Sequence, residues 1–475
     1  MLTSDPIGAI LLLSLLGLIL LVGEVWARVG NPSPEQSRKF VHLLSGGACL
    51  LFPFLIESPL IVGAMALSMS TMFALATKFQ VFKSLYRVKR SSRGSEYYPV
   101  AIFLVFLLSA DNLWIYFASI LTLGVADAFA ALVGTKYGRI HYTVQEGKKS
   151  LEGSLAFFLI TLAAIIAPAP FLTDLSLANV FQVALLTATL LTAFEAISIK
   201  GADNLFVPVA ATFILLKAST EPLSLLVFQN FHLLGIFAFL TAVNLSLKAL
   251  LPGERKPFDA GGILTFSLFT FTAWALGSGY FALPVITGFC LAILAWLTSN
   301  WLTKAQRSIP TRAAYRALLP PFLIILIANI NSDYAAFYGP YLASLAAVTA
   351  FSITTFWRPA PHTRGPFYSK QLATLIGIVA GFVITLPPLF YHPSIGFFQG
   401  PLTITAITAV LAAINLLVVE RRTRQGDEHY WPASQFLFAL LAAALLYGLQ
   451  YLEIVSLWSH PENTELMRYS WRPWW

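Results

Sequence analysis

Residues 112–139 read NLWIYFASILTLGVADAFAALVGTKYGR. Between Leu113 and Gly134 the only charged side chain is Asp127. A helix over 112–134 rises roughly 34 Å, enough to cross a hydrocarbon layer of about 30 Å. The stretch therefore reads as a transmembrane helix, and a carboxylate inside such a span is costly enough to make Asp127 a functional candidate by default.

The rest of the chain repeats this pattern. Of 475 residues, 57% are hydrophobic and 11% charged, against roughly a quarter charged in soluble domains. This excludes a soluble enzyme, a disordered chain and a nucleic-acid binder, and predicts an all-α, polytopic transmembrane helical bundle. Apolar runs place spans near 8–29, 40–56, 58–78, 98–110, 112–134, 154–173, 176–199, 203–218 and 224–250. Seven more fall near 261–278, 280–300, 315–331, 335–356, 371–391, 400–420 and 432–454. The count is about 16, with 14 as the lower bound, because the runs at 98 and 203 are short for the layer. A polar break at 251–260 divides the chain into two halves, 1–250 and 261–475. Cys49 and Cys290 both lie in apolar runs and read as small buried hydrophobes. Asp5 rather than basic residues precedes the first run and no small-residue cleavage site follows it, so a retained first span is expected.

Basic residues test the count. With the loop after the third span inside and strict alternation thereafter, 27 of the 30 Lys and Arg fall on the inner side, leaving Lys217, Arg468 and Arg472 outside. Both termini are then expected outside, and most of the formal +8 charge is a topological signal. The segment 78–93 sets Phe79, Phe82, Leu85 and Tyr86 at helical spacing among six basic residues. It reads as a basic helix lying on the inner surface, or as a rim that attracts a polyanionic substrate.

The same topology collects the polar groups of the first half at one depth. Arg38, Lys39 and His42 open span 2, Asp127 lies in the inner half of span 5, and GKKSLEGS (147–154) leads into span 6. Glu195 ends span 7, and Asp203 and Asn204 open span 8. Carboxylates are hard oxygen ligands for Mg²⁺, and Lys and Arg neutralise phosphate oxygens, so the mixture suits a metal–polyphosphate. Zinc fits poorly without a His/Cys cluster. Asp127, Ala131, Gly134 and Gly138 share one helical face, open either to a second helix or to a nucleotide. Plainer readings stand beside these: Arg38, Lys39, Lys148 and Lys149 as headgroup anchors, His42 as an interhelical hydrogen-bonder, Glu24 as an ion-pair partner.

Taken in order, R-K-x-x-H (Arg38, Lys39, His42), R-G-S-E-Y-Y-P (93–99), D-A-x-A-A-x-x-G-x-x-x-G from Asp127, K-S-L-E-G-S (149–154), Glu195 and D-N-x-x-x-P (Asp203, Asn204, Pro208) resemble the phytol kinase and dolichol kinase family over about residues 1–220. The resemblance implies a membrane polyprenol kinase that transfers a phosphoryl group from a nucleoside triphosphate, commonly CTP, to an isoprenoid lipid alcohol, with Mg²⁺ as the cation. It places Asp127, Glu195 and Asp203 at the metal, with Asp127 also a candidate proton acceptor. Lys39, Lys149, Ser150, Glu152, Gly153, Gly134 and Gly138 fall at the nucleotide. Arg38 and His42 join Asp127 and Lys149 as catalytic candidates, and Asn204, Tyr97 and Tyr98 support the substrate. The related phosphatidate cytidylyltransferases also use CTP, but their PGHGG-type segment is missing. Cytidylyl transfer to a phospholipid and transport remain the alternatives.

The second half is faintly similar to the phytyl-phosphate kinases across 261–321 and 338–350. Where that family's acidic segment is expected, this sequence reads FSITTFWR (351–358). None of the nine acidic residues after position 250 falls in the inner half of a span, so this half is expected to be catalytically silent. The expected setting is a multi-pass membrane protein, in a bacterial inner membrane or an organelle, with its site on the cytoplasmic side. The partners expected are the nucleotide, the alcohol and the bilayer.

Overall fold

The computed structural model describes residues 4–30, 32–79, 94–144, 147–198, 201–250, 257–303, 311–356, 370–387, 399–423 and 433–455. Among the described residues the chain is all-α apart from one hairpin. Among the described residues nine helices are long and apolar enough to cross a membrane, and five shorter helices are also apolar. From residue 80 onward, the basic segment 78–93 lies outside the described residues, as does most of the break at 251–260.

The chain divides into two compact units, Met1–Phe231 and His232–Trp475. The first is built from α1 (Asp5–Val29), α2 (Pro34–Cys49), the short α3 (Phe52–Leu55), α4 (Pro59–Phe79), α5 (Gly94–Ser109) and α6 (Leu113–Leu121). A π-helical turn, Thr122–Ala126, joins α6 to α7 (Asp127–Tyr137). There follow β1 (His141–Val144), β2 (Gly147–Ser150), α8 (Leu151–Ile166), α9 (Ala169–Leu172), α10 (Leu177–Ile197) and α11 (Asp203–Ala218), and α12 (Leu223–Leu250) begins in this unit.

Sequence explains these boundaries. Ser33, Pro34 and Gln36 form a capping box: the Gln36 N–H donates to Ser33 Oγ at 3.3 Å and the Ser33 N–H to Gln36 Oε1 at 2.9 Å. The single span expected over 40–56 is broken into α2 and α3. The Asp5 carboxylate takes the Glu57 and Ser58 N–H groups, both at 2.9 Å, which fixes the turn into α4. Along α1, Leu12, Leu16 and Ile19 are buried while Ile10, Leu18 and Leu21 are exposed. An apolar exposed face on an apolar helix is what a lipid solvent permits.

In the second unit the core gathers Phe281, Phe289, Tyr338, Tyr341 and Phe351. The spans read at 261–278 and 280–300 are each long and apolar enough to cross a membrane, and they run on from one another as one continuous helix, α13 (Ala260–Thr303). Gly277 and Gly279 do not take positive φ; among the described residues the only glycine that does is Gly201. Pro284 within α13 removes the N–H that would serve the Tyr280 carbonyl, and the Tyr338 hydroxyl donates to that carbonyl at 3.1 Å instead. Tyr341 donates to the next carbonyl, Phe281 O, at 2.5 Å. The helix therefore runs through its proline. Cys290, expected inside, is exposed on α13, whereas Cys49 is buried. The unit continues through α14 (Thr311–Asn331), α15 (Tyr334–Phe356), α16 (Lys370–Ile384), α17 (Gln399–Thr423) and α18 (Ala433–Tyr451).

Candidate active site

The site is organised where α2 crosses the π-helical turn. Gly46 and Gly124 meet backbone to backbone: a Cβ on Gly124 would lie 3.1 Å from Gly46 Cα, and one on Gly46 2.9 Å from Gly124 Cα. No larger side chain fits there without moving a helix. One turn before Gly46, and almost one turn after Gly124, the approach brings His42 and Asp127 together. Lys39 Nζ donates to Asp127 Oδ2 at 2.5 Å, and His42 Nε2 lies 3.2 Å from the same oxygen. His42 Nε2 is also 2.8 Å from the Leu123 carbonyl in the π-helical turn. Both neighbours of Nε2 are acceptors, so the geometry puts a proton on Nε2. The Tyr98 ring stands edge-on to His42 at 4.8 Å. π-Helical turns displace carbonyls from the regular ladder and are frequent at functional sites.

Lys39 is 3% exposed, which is exceptional for a lysine and requires its carboxylate partner. Both contacts to Asp127 fall on Oδ2, leaving Oδ1 without a hydrogen bond among the described residues. Arg38, on the neighbouring face of α2, is held by Glu35 at 2.6 Å.

The second cationic group arrives on the hairpin. Strand β1 pairs with β2 antiparallel, Tyr142 opposite Lys149 and Thr143 opposite Lys148. Lys149 Nζ donates to Glu195 Oε1 and to the Glu195 carbonyl, both at 2.5 Å. Burial alone would lower the Lys149 pKa, but Glu195 and Asp203 outweigh it and hold the ammonium above the ordinary lysine value. Ser150 closes the strand by capping α8, accepting the Gly153 N–H at 3.1 Å. Asp203 and Asn204 open α11; Asn204 is buried, and Asp203 Oδ1 is buried with no hydrogen-bond partner among the described residues.

These groups share one cavity of about 930 Å³ in the first unit. One end is lined by Arg38, Lys39, His42, Asp127, Lys149, Glu195 and Asp203, and the other by Leu16, Phe52, Val62, Met65 and Ile102. Ser150, Gly153, Asn204, Gly134 and Tyr98 also line it. Tyr97, Glu152 and Gly138 do not.

For several residues the structure shows a packing use. Glu152 Oε1 accepts the Arg139 and Ile140 N–H groups at 2.9 and 3.1 Å, pinning the turn that launches the hairpin. A Cβ on Gly153 would lie 2.9 Å from the Ala130 carbonyl and 3.1 Å from Gly134 Cα, so these glycines set the crossing of α7 and α8. At Gly138 a Cβ would meet the Gly134 carbonyl and the Ser150 side chain. Glu24 pairs with Arg28 at 2.8 Å along α1, as an ion-pair partner should. Among the described residues no three His, Cys, Asp or Glu side chains converge tightly enough to hold a metal ion by themselves. Asp127, Glu195 and Asp203 therefore line one cavity without forming a three-carboxylate shell.

Sequence reasoning missed three contributors. Glu35 lines the polar end and holds Arg38; its place three residues before Arg38, inside the capping box, is the available signal. The hairpin was absent from the helical reading, although alternating HYTV followed by a glycine is a strand signal. The cavity-lining face of α4 could not be told from its lipid-facing side, because both are apolar.

A phytol kinase from Synechocystis sp. is 34% identical to this chain over 206 residues, which make up 42% of this chain and 86% of that protein. No protein-family model and no solved structure matches the sequence.

Proposed function

Because the chain belongs to the phytol/polyprenol kinase family, we propose that it transfers the γ-phosphoryl group of a nucleoside triphosphate to the hydroxyl of an isoprenoid lipid alcohol such as phytol, geranylgeraniol or a dolichol-like polyprenol. CTP is the donor that the resemblance favours. The observation carrying this reading is the two-ended cavity, with ion pairs at one end and aliphatic side chains at the other. A lipid alcohol has that same division, and on this reading the catalytic end faces the cytoplasm, from which the nucleotide comes.

Phosphoryl transfer asks a protein for positioning and charge neutralisation more than for covalent chemistry. Asp127 Oδ1 accepts the proton of the alcohol as its oxygen forms the new bond to the γ-phosphorus, while the bond to the β-phosphate oxygen breaks and the nucleoside diphosphate leaves. Lys39 and His42 hold the other carboxylate oxygen and so fix the direction in which Oδ1 faces. Lys149 and Arg38, each held ready by a glutamate, exchange Glu195 and Glu35 for phosphate oxygens. The donor set fits Mg²⁺ bound in the way it usually is beside a triphosphate, through one or two carboxylates with phosphates and water as the remaining ligands. Asp203, with its unpartnered buried Oδ1, and Glu195 would hold it. When bound it supplies further neutralisation of the phosphate oxygens.

The test is a panel of purified protein with Mg²⁺ and CTP, UTP, ATP or GTP against phytol, geranylgeraniol, farnesol, a long polyprenol and diacylglycerol. Formation of an alcohol monophosphate with release of nucleoside diphosphate is expected. Release of pyrophosphate would show cytidylyl transfer instead, and nucleotide-independent uptake into vesicles would show a transporter.

A further inference from the structure

The apolar end of the cavity has a length and a floor. Helix α4 contributes Val62, Met65, Ala66, Met69, Phe73 and Thr77, a single stripe at helical spacing. From Thr77, level with the polar end, to Val62 is fifteen residues, a rise of about 22 Å. On α2 the lining runs from Lys39 to Cys49, a depth of about 15 Å, and Phe52 of α3 continues it. The slot thus lies along the helices and starts at the phosphoryl-transfer groups. It ends on Leu16, Phe52 and Val62, which are 4%, 4% and 1% exposed. Behind them the core continues without a gap through Leu12 and Ile56, at 0% and 1%.

We propose that this floor is a ruler, which limits the alcohol to about three or four isoprene units and makes Val62, Phe52 and Leu16 specificity-determining residues. The inference rests on the kinase reading and deepens it. An isoprene unit adds four main-chain bonds of about 1.5 Å, roughly 5 Å of extended length after zigzag projection. With the hydroxyl at Asp127, the 15–20 Å that remain take a chain of about 15 to 20 carbons. A polyprenol of ten or more units, roughly 50 Å when extended at about 5 Å per unit, exceeds that depth more than twofold. The selection works by exclusion. A tail moving from bilayer into protein leaves one apolar medium for another and gains little per carbon, so alcohols short enough to fit should differ modestly and those too long should fail abruptly.

The experiment compares kcat/KM of the full-length protein in lipid nanodiscs, with CTP and Mg²⁺, for farnesol, geranylgeraniol and a polyprenol of about ten units. Wild-type protein should use the first two within about tenfold of each other and the polyprenol at least about a hundredfold less well. Val62→Phe raises the floor and should reduce the geranylgeraniol-to-farnesol ratio at least about tenfold. Val62→Ala lowers it and should move the ratio the opposite way, so the two substitutions report with opposite sign and neither relies on the other being well folded. Comparable use of the polyprenol and geranylgeraniol, or an unchanged ratio in both variants, would overturn the ruler while leaving the kinase standing. Failure of wild-type protein to phosphorylate any of the alcohols would overturn the kinase reading and the ruler with it.

Discussion

Lys39 and Asp127 form a buried ion pair whose structural and catalytic roles can be separated by a double-mutant cycle. Replacing Asp127 alone with Leu leaves the Lys39 ammonium, 3% exposed and previously 2.5 Å from its carboxylate, without a counter-charge. Breaking a buried pair from one side costs about 3–5 kcal/mol, which lowers the melting temperature of a unit this size by on the order of 10 °C. Lys39→Met has the converse effect on Asp127. The double variant, Lys39→Met with Asp127→Leu, removes both charges and fills the space with aliphatic atoms, an exchange that is often neutral or stabilising. Stability should therefore return toward the wild-type value in the double variant. Turnover should not: with no carboxylate to accept the alcohol proton, it should stay about 10²–10⁴-fold down in Asp127→Leu and in the double variant. Thermal unfolding in detergent gives the first quantity, and alcohol monophosphate formed from CTP the second. The mechanism assigned to Asp127 is refuted if the double variant recovers stability and turnover together, because the pair would then be a structural device.

Four further outcomes follow from the same geometry. Lys149→Ala should raise the nucleotide KM by about 10–100-fold, as expected for a lost charge-assisted hydrogen bond. Because Glu195 and Asp203 hold the Lys149 pKa above its ordinary value, any stability from this pair is fully present below about pH 10.4 and lost only as pH rises further. The wild-type nucleotide KM should accordingly show no inflection from Lys149 between about pH 6 and 9, and an inflection there that disappears in Lys149→Ala would contradict the assignment. Gly124→Val inserts atoms where even a Cβ would lie 3.1 Å from Gly46 Cα; overpacking of about 1–3 kcal/mol should accompany a fall in turnover as α2 is pushed from Asp127. A chain ending after residue 250 should retain lipid-alcohol phosphorylation, since every residue lining the candidate site lies within Met1–Phe231; a folded but inactive truncation would give the second half a part in the chemistry.

Much of this was legible in the sequence, for identifiable reasons. Asp127 stood out because a charge in an apolar span needs an explanation, and the structure supplies Lys39 and His42, drawn from a helix 88 and 85 positions away in the chain. The helix starts at Ser33 and Ser150 are not read from the sequence, which begins those spans near 40 and 154; the caps appear only in the structure. Less legible were features that depend on what a residue meets rather than what it is. Gly134 and Gly153 carry the same spacing whether they admit a nucleotide or a neighbouring helix, and only the approach of α7 to α8 shows the packing use. Glu152 looked like one more phosphate-site residue, yet its Oε1 is taken by two backbone N–H groups. The proline defect in α13 is repaired by a tyrosine hydroxyl from another helix, and Tyr338 cannot be assigned that task from sequence.

The division of labour along α2 suggests why chemistry and substrate choice are coupled in this site. The same helix presents Arg38, Lys39 and His42 at one end of the cavity and Cys49 near the other, with the Gly46–Gly124 contact between them. A rigid helix held at its middle cannot shift one end without swinging the other. Any change that widens the apolar slot by moving α2 will therefore also move Lys39 and His42 relative to Asp127, and interior packing is too tight to absorb the difference. Lipid selectivity can be altered cheaply only from elements that do not carry the reacting groups, namely α1 and α4. There the lining carries no charged group over four turns, and Met65 and Met69 are the adaptable kind that tolerates irregular ligands. Substitutions on α4 should thus shift the alcohol profile with little effect on the nucleotide KM, whereas substitutions of comparable size at Val41 or Ser45 on α2 should depress turnover for every alcohol alike. Equal behaviour of the two helices in that comparison would mean that α2 is not held at its crossing, and that the Gly46–Gly124 contact does not set the site.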